Sequence, residues 1–134
     1  MTAKPILLVE DNPDDELLML RALRKSKVER EIVVARDGVE AQRMLDSLSP
    51  VLVILDLKLP KVDGLSVLRR IRSTPRIERL PVVVLTSSRE ERDLSESYAA
   101  GANSFIRKPV DFERFVEVVQ AVCAYWAKLN EPPP

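Results

Sequence analysis

Val51-Leu52-Val53-Ile54-Leu55-Asp56 is the stretch that decides the fold: five apolar residues in a row, closed by a carboxylate. A run this short, continuous and rich in β-branched side chains suits a strand buried on both faces, as in a parallel sheet. The same grammar recurs along the chain. Pro5 to Val9 ends in Glu10-Asp11, Pro81 to Leu85 ends in Thr86-Ser87-Ser88, and Ser104 to Arg107 ends in Lys108-Pro109. Ile32 to Ala35 is a fifth run of the same kind.

Helical spacing fills the gaps. Pro13 and the acids Asp14 and Asp15 mark a helix start, Leu17 to Leu23 carry its apolar side, and basic residues near Lys25 suit its end. Asp37-Gly38 makes a turn before Val39, Ala41, Met44, Leu45 and Leu48; Asp63-Gly64 leads into Leu65, Val67, Leu68 and Ile71. A fourth helix is expected from Arg89 to Ala100 with Gly101 as its stop, and a fifth from about Asp111 to Leu129. Five strands alternating with five helices predict a doubly wound α/β domain with a five-stranded parallel sheet. The flavodoxin-like order 2-1-3-4-5 is the natural assignment, with ligands at the carboxyl ends of strands 1 and 3. Residues 1–130 are expected to form this domain, with 131–134 a proline-rich tail.

Composition narrows the function. Lys plus Arg and Asp plus Glu are 21 each, so the formal net charge is zero and bulk attraction to nucleic acid or anionic membrane is not expected. With no histidine, triads, imidazole metal sites and phosphohistidine chemistry on this chain are excluded. Cys123 stands alone among Val122, Ala124 and Tyr125, which suits a packed thiol in a reducing cytoplasm. No apolar run approaches the ~20 residues needed to span a bilayer. The N-terminus does not read as a signal peptide.

If the runs are parallel neighbours, Glu10, Asp11 and Asp56 share one edge with Thr86 and Lys108. Three carboxylates so close repel one another unless a cation sits among them. Oxygen-only donors select a hard ion, Mg²⁺ or Mn²⁺. Singly, each residue has an ordinary reading: Asp11 and Asp14 as helix caps, Thr86 as a strand former, Lys108 as a surface lysine before a helix-starting proline. The Lys108-Pro109 dipeptide can also take the cis form and fix the lysine's direction.

Glu10-Asp11, Asp56, Thr86 and Lys108-Pro109, with Leu55 to Gly64 as the loop between, resemble the receiver domains of two-component response regulators over essentially the whole chain. The opening Val9 to Asp15 and the ending Tyr125-Trp126 with 129–134 are similar to small regulators paired with cyanobacterial phytochromes. The resemblance implies that Asp56 accepts a phosphoryl group from a sensor histidine kinase of phytochrome type. It implies Mg²⁺ held by Asp11 and Asp56, by Glu10 through a water, and by the Lys58 carbonyl. It gives Lys108 and Thr86 the phosphoryl oxygens and pairs Thr86 with Phe105 as a switch acting on helix 4, strand 5 and helix 5. Two residues depart from common members: Phe105 lacks a phenolic hydroxyl, and Lys58 is a long cation that either shields the acyl phosphate or stays solvated.

Other readings fare worse. A haloacid-dehalogenase-type phosphatase would place an acid two residues after Asp56, where Lys58 stands. A nucleotide or flavin carrier would want a Gly-rich loop after strand 1, and the chain has three glycines. A phosphorylation-independent adaptor is the third. No DNA-binding element is expected after the fifth helix, so output passes to another protein. Val118, Val122, Tyr125 and Leu129 form a second apolar stripe on that helix, which predicts a homodimer.

Overall fold

The computed structural model describes residues 4–26 and 28–134. The strands are β1 Ile6–Val9, β2 Ile32–Ala35, β3 Leu52–Leu55, β4 Val82–Thr86 and β5 Ser104–Arg107. They form one parallel sheet in the order β2-β1-β3-β4-β5, as expected. The helices are α1 Pro13–Lys25, α2 Gly38–Leu45, α3 Gly64–Arg72, α4 Glu91–Ala99 and α5 Phe112–Ala124.

Alternate residues of each strand point to opposite faces, and the core divides accordingly. Ile6, Leu8 and Ile54 meet Met19, Ala22 and Leu23 of α1 and Phe115, Val119 and Cys123 of α5. On the other face Leu7, Val9 and Val53 meet Ala41 of α2 and Val67, Leu68 and Ile71 of α3. β1, β3 and β4 are buried at every position, whereas β5 is only half-buried throughout. Burial pushes the Cys123 thiol up to about 11, in keeping with an inert packed cysteine.

Four of the five helices start on a side-chain cap. Asn12 Oδ1 accepts the Asp14 and Asp15 amides at 2.9 and 3.1 Å, and Asp37, Asp63 and Asp111 cap α2, α3 and α5 in the same way. Asn12 caps α1, so Asp11 and Asp14 are released from that task. Gly64 opens α3 hard against the loop after β3, where a Cβ would overlap the Asp56 carbonyl oxygen. Gly101 ends the α4 segment at φ 106°. Arg72 reaches across from α3, donating to the carbonyls of Gly101, Glu78 and Leu80 and to Asn103 Oδ1 at 2.9, 3.0, 2.6 and 2.8 Å.

The last helix departs from expectation. It is α-helical only to Ala124; Tyr125–Leu129 forms a π turn closed by the Asn130 amide on the Tyr125 carbonyl at 2.6 Å. The wider turn breaks the 3.6-residue spacing on which the second stripe was counted. Val122 is buried in the chain's own core and Val118 packs half-buried against it, so neither belongs to an outer stripe. Ala127 is buried and Trp126 packs inward, while Tyr125 and Leu129 stay exposed at 50 and 72%. Among the described residues no helix is long and apolar enough to cross a membrane.

Candidate functional site

β1 and β3 lie side by side with Val9 opposite Leu55, so the residues after them arrive together. The hydrogen-bonding pattern continues past both strands: the Glu10 amide donates to Ala35 and the Asp56 amide to Val9. Backbone pairing therefore places Glu10 and Asp56 before any side chain contributes. Carboxylate oxygens of Glu10, Asp11 and Asp56 lie within 4.8 Å of one another. Glu10 and Asp56 are buried and Asp11 is exposed, which leaves the cluster open on one side.

Lys108 arrives from the far side of β4. Its amide donates to the Thr86 carbonyl at 2.8 Å, prolonging the β4–β5 pairing and aiming the side chain inward. The Lys108–Pro109 bond is trans, so pairing rather than a cis peptide sets the lysine's direction. The buried ammonium donates to Glu10 Oε1 at 2.6 Å, Asp15 Oδ2 at 2.8 Å and Asp56 Oδ2 at 3.0 Å. Burial disfavours that charge, but the Asp15 hydrogen bond, the field of Asp56 and the Glu10 hydrogen bond outweigh it and raise the lysine's pKa. It is an ammonium at any physiological pH.

Three acids bond one lysine, Asp11 stands beside them, and the cost of burying the cluster shows in Glu10. Its carboxyl is pushed up to about 7, first by burial and further by Asp56, with the Lys108 hydrogen bond and charge opposing. A site that strains to keep a carboxylate ionised at neutral pH is one that gains from a second cation. The donors are oxygens without sulfur or imidazole, so the set fits a hard divalent ion.

Asp15 is the member that reading from the strand ends missed. Its signal was the helical phase: it lies four residues before Met19, which is fully buried, and so on the inward side of α1. Thr86, the last residue of β4, is fully buried, and its Oγ1 accepts the Ser88 amide at 3.3 Å. Phe105 is half-buried opposite Val84, with the Arg107 guanidinium 5.7 Å from its ring centre. Lys58 donates its amide to Asp56 Oδ1 at 3.3 Å, but its side chain turns away to Asp93 of α4.

A family model described as the response regulator receiver domain matches residues 6–120. The chain belongs to the response regulator receiver family. Among curated proteins, response regulator Rcp1 of Synechocystis sp. is 38% identical over 130 residues, covering 92% of this receiver and 88% of that protein. The crystal structure of the Mn(2+)-bound form of Rcp1 superposes with a TM-score of 0.89 at 36% identity, over 98% of this chain and 99% of that one. The phosphorylated cyanobacterial phytochrome response regulator RcpA gives 0.90 at 38% identity, over 99% and 100%. The bacteriophytochrome response regulator AtBRR is 48% identical with a TM-score of 0.76, over 98% and 100%. This receiver is thus a response regulator that sits close to the phytochrome-linked members, and a sensor histidine kinase is the partner such a domain implies.

Proposed function

We propose that Asp56 accepts a phosphoryl group from the phosphohistidine of a phytochrome-type sensor kinase, beside Mg²⁺ or Mn²⁺. The carrying observation is the division of labour at Asp56: Oδ2 bonds Lys108, Oδ1 bonds the Lys58 amide, and Glu10 and Asp11 stand within 4.8 Å. Asp11 and Asp56 would hold the metal directly, Glu10 through a water and Lys58 through its carbonyl; when bound, the metal neutralises charge on the phosphoryl oxygens. An Asp56 oxygen attacks phosphorus in line, the bond from phosphorus to the imidazole nitrogen breaks, and its electron pair stays on the imidazole. Lys108 then follows the charge from the carboxylate to the phosphoryl oxygens, a short move for a flexible point charge. The same groups serve the later hydrolysis, so any catalysis concerns only the receiver's own acyl phosphate.

Thr86 and Phe105 carry the change outward. The Thr86 hydroxyl turns from the Ser88 amide to donate to the phosphoryl group, and the Phe105 ring takes the space it leaves. That shifts the population of two packings at α4, β5 and α5. Output passes to a protein partner, with Tyr125 and Leu129 as the exposed apolar residues through which two copies pair.

Labelling with a small phosphodonor and Mg²⁺ tests the core of this reading. Wild type takes up acid-stable, base-labile phosphate and Asp56→Asn takes up none; equal labelling of the two removes Asp56 as the acceptor. Phe105→Ala should leave labelling intact and uncouple output, and normal signalling by that variant removes the switch.

A further inference from the structure

The amino end of α4 is tied to the site by side chains rather than by its own cap. Glu90, its N-cap residue, makes no capping hydrogen bond, and Ser97 is the one fully buried residue of the helix. Asp93 in the first turn supplies the tie. Its Oδ2 accepts the Ser88 hydroxyl and lies 3.7 Å from Lys58 Nζ. Ser88 reaches Thr86 through its amide, and Lys58 reaches Asp56 through its own. One carboxylate on α4 thus touches both the loop after Asp56 and the loop after Thr86.

The two ties are unequal. The Asp93 side chain is 14% exposed and hydrogen-bonded, whereas that of Lys58 is 69% exposed on a flexible stem. An ion pair with so exposed a partner is screened and weak, and a stronger anion within reach displaces it. A phosphoryl group brings about two negative charges at neutral pH, against one on Asp93, to a residue two positions from Lys58.

We propose that Asp93 is a positioning residue that holds Lys58 away from Asp56 in the resting receiver and yields it on phosphorylation, so that one lysine sets the lifetime of the acyl phosphate and frees the first turn of α4. The proposal rests on the reading of Asp56 as the phosphoacceptor. In hydrolysis a water oxygen bonds phosphorus, the bond from phosphorus to Asp56 breaks with its electron pair returning to the carboxylate, and both water protons leave with the phosphate. That water must approach in line, opposite the Asp56 oxygen that leaves. Lys108 is buried beneath the phosphoryl group, whereas Lys58 reaches it from the exposed side; a long side chain paired there obstructs the incoming water, and hydrolysis slows.

The full chain is labelled with acetyl phosphate and Mg²⁺, freed of donor, and followed for loss of label in wild type, Asp93→Asn, Lys58→Met and the double variant. Asp93→Asn lengthens the lifetime about two- to fivefold, the range an exposed ion pair controls, and Lys58→Met shortens it. In the Lys58→Met background Asp93→Asn changes nothing. Amide exchange at residues 94–96, the first whose amides are bonded within the helix, rises on phosphorylation in wild type and is already fast in Asp93→Asn. An Asp93→Asn effect that persists without Lys58, or no effect in either background, overturns the proposal and leaves Asp56 as the acceptor. Failure of the wild type to label removes both. Should Asp93→Asn melt out, Ser88→Ala replaces it: Asp93 then keeps Lys58 more firmly and the lifetime shortens, and an unchanged lifetime overturns the proposal.

Discussion

The centre of the sheet and its α4–β5 edge are built from opposite material. β1, β3 and β4 are apolar and wholly buried up to the hydroxyl that ends β4, while β5 is half-buried throughout and the single buried residue of α4 is a serine. The centre fixes charges at set distances, because moving any of them would disturb close packing on both faces. The edge has little packing to lose, so it can rearrange at small cost. The acidic cluster sits on the rigid half, and the proposed switch would display its consequence on the soft half.

The largest expected effect lies where the centre carries charge. Lys108→Met leaves three carboxylates without their ammonium, and breaking a buried ionic cluster in this way costs about 3–5 kcal/mol. Urea unfolding without metal should show that loss, and Mg²⁺ should restore part of it. A variant as stable as wild type would mean that the centre does not depend on its charges.

Packing comes next, and it divides the two halves directly. Ile54→Ala, at a 2% exposed β3 position, should cost about 2–5 kcal/mol. Leu94→Ala, at a half-buried position on α4, should cost about 1 kcal/mol or less. Equal losses in thermal or urea unfolding would abolish the contrast.

Glu10 makes the centre sensitive to pH. Its carboxyl lies near 4.5 when unfolded and about 7 when folded, so the folded state binds more protons between those values. Metal-free stability therefore falls as pH rises from about 4.5 to about 7, the reverse of an acid lowered by a partner. Mg²⁺ requires the ionised group, so its affinity should climb over the same interval and level off above it. Titration calorimetry across that range reads the slope; a flat profile would remove Glu10 from the metal's surroundings. The smallest effect on stability is expected at the chain's end, where Leu129→Asp should change it by about 0.5 kcal/mol or less yet convert a dimer to a monomer in sedimentation. A wild type that already sediments as a monomer would end the pairing.

Much of this was legible because burial and alternation speak plainly in short strands. Val51 to Asp56 announced β3 and its carboxylate together, and parallel order then brought Glu10, Asp11, Thr86 and Lys108 to one edge. Asp15 escaped because its place depends on helical phase against Met19, a relation between neighbours on a cylinder rather than along a line. The tie from Lys58 to Asp93 joins residues far apart in sequence through a flexible side chain, which no local pattern encodes. The π turn at Tyr125–Leu129 broke the counting of the apolar stripe, since one widened turn rotates every later residue and drew Ala127 inward in place of an outer face.

Arg72 gives the soft edge a fixed point. By holding Gly101 and Asn103 it pins the carboxyl end of α4, while the amino end rests on Asp93 and Ser88. A rod fastened at one end does not slide; it swings. Across nine residues the helix is a lever roughly 13 Å long, so rotation about Gly101 displaces Glu91 most and Ala99 least. A partner gripping α4 near its free end would feel the full stroke, and one gripping near the pivot would feel almost none.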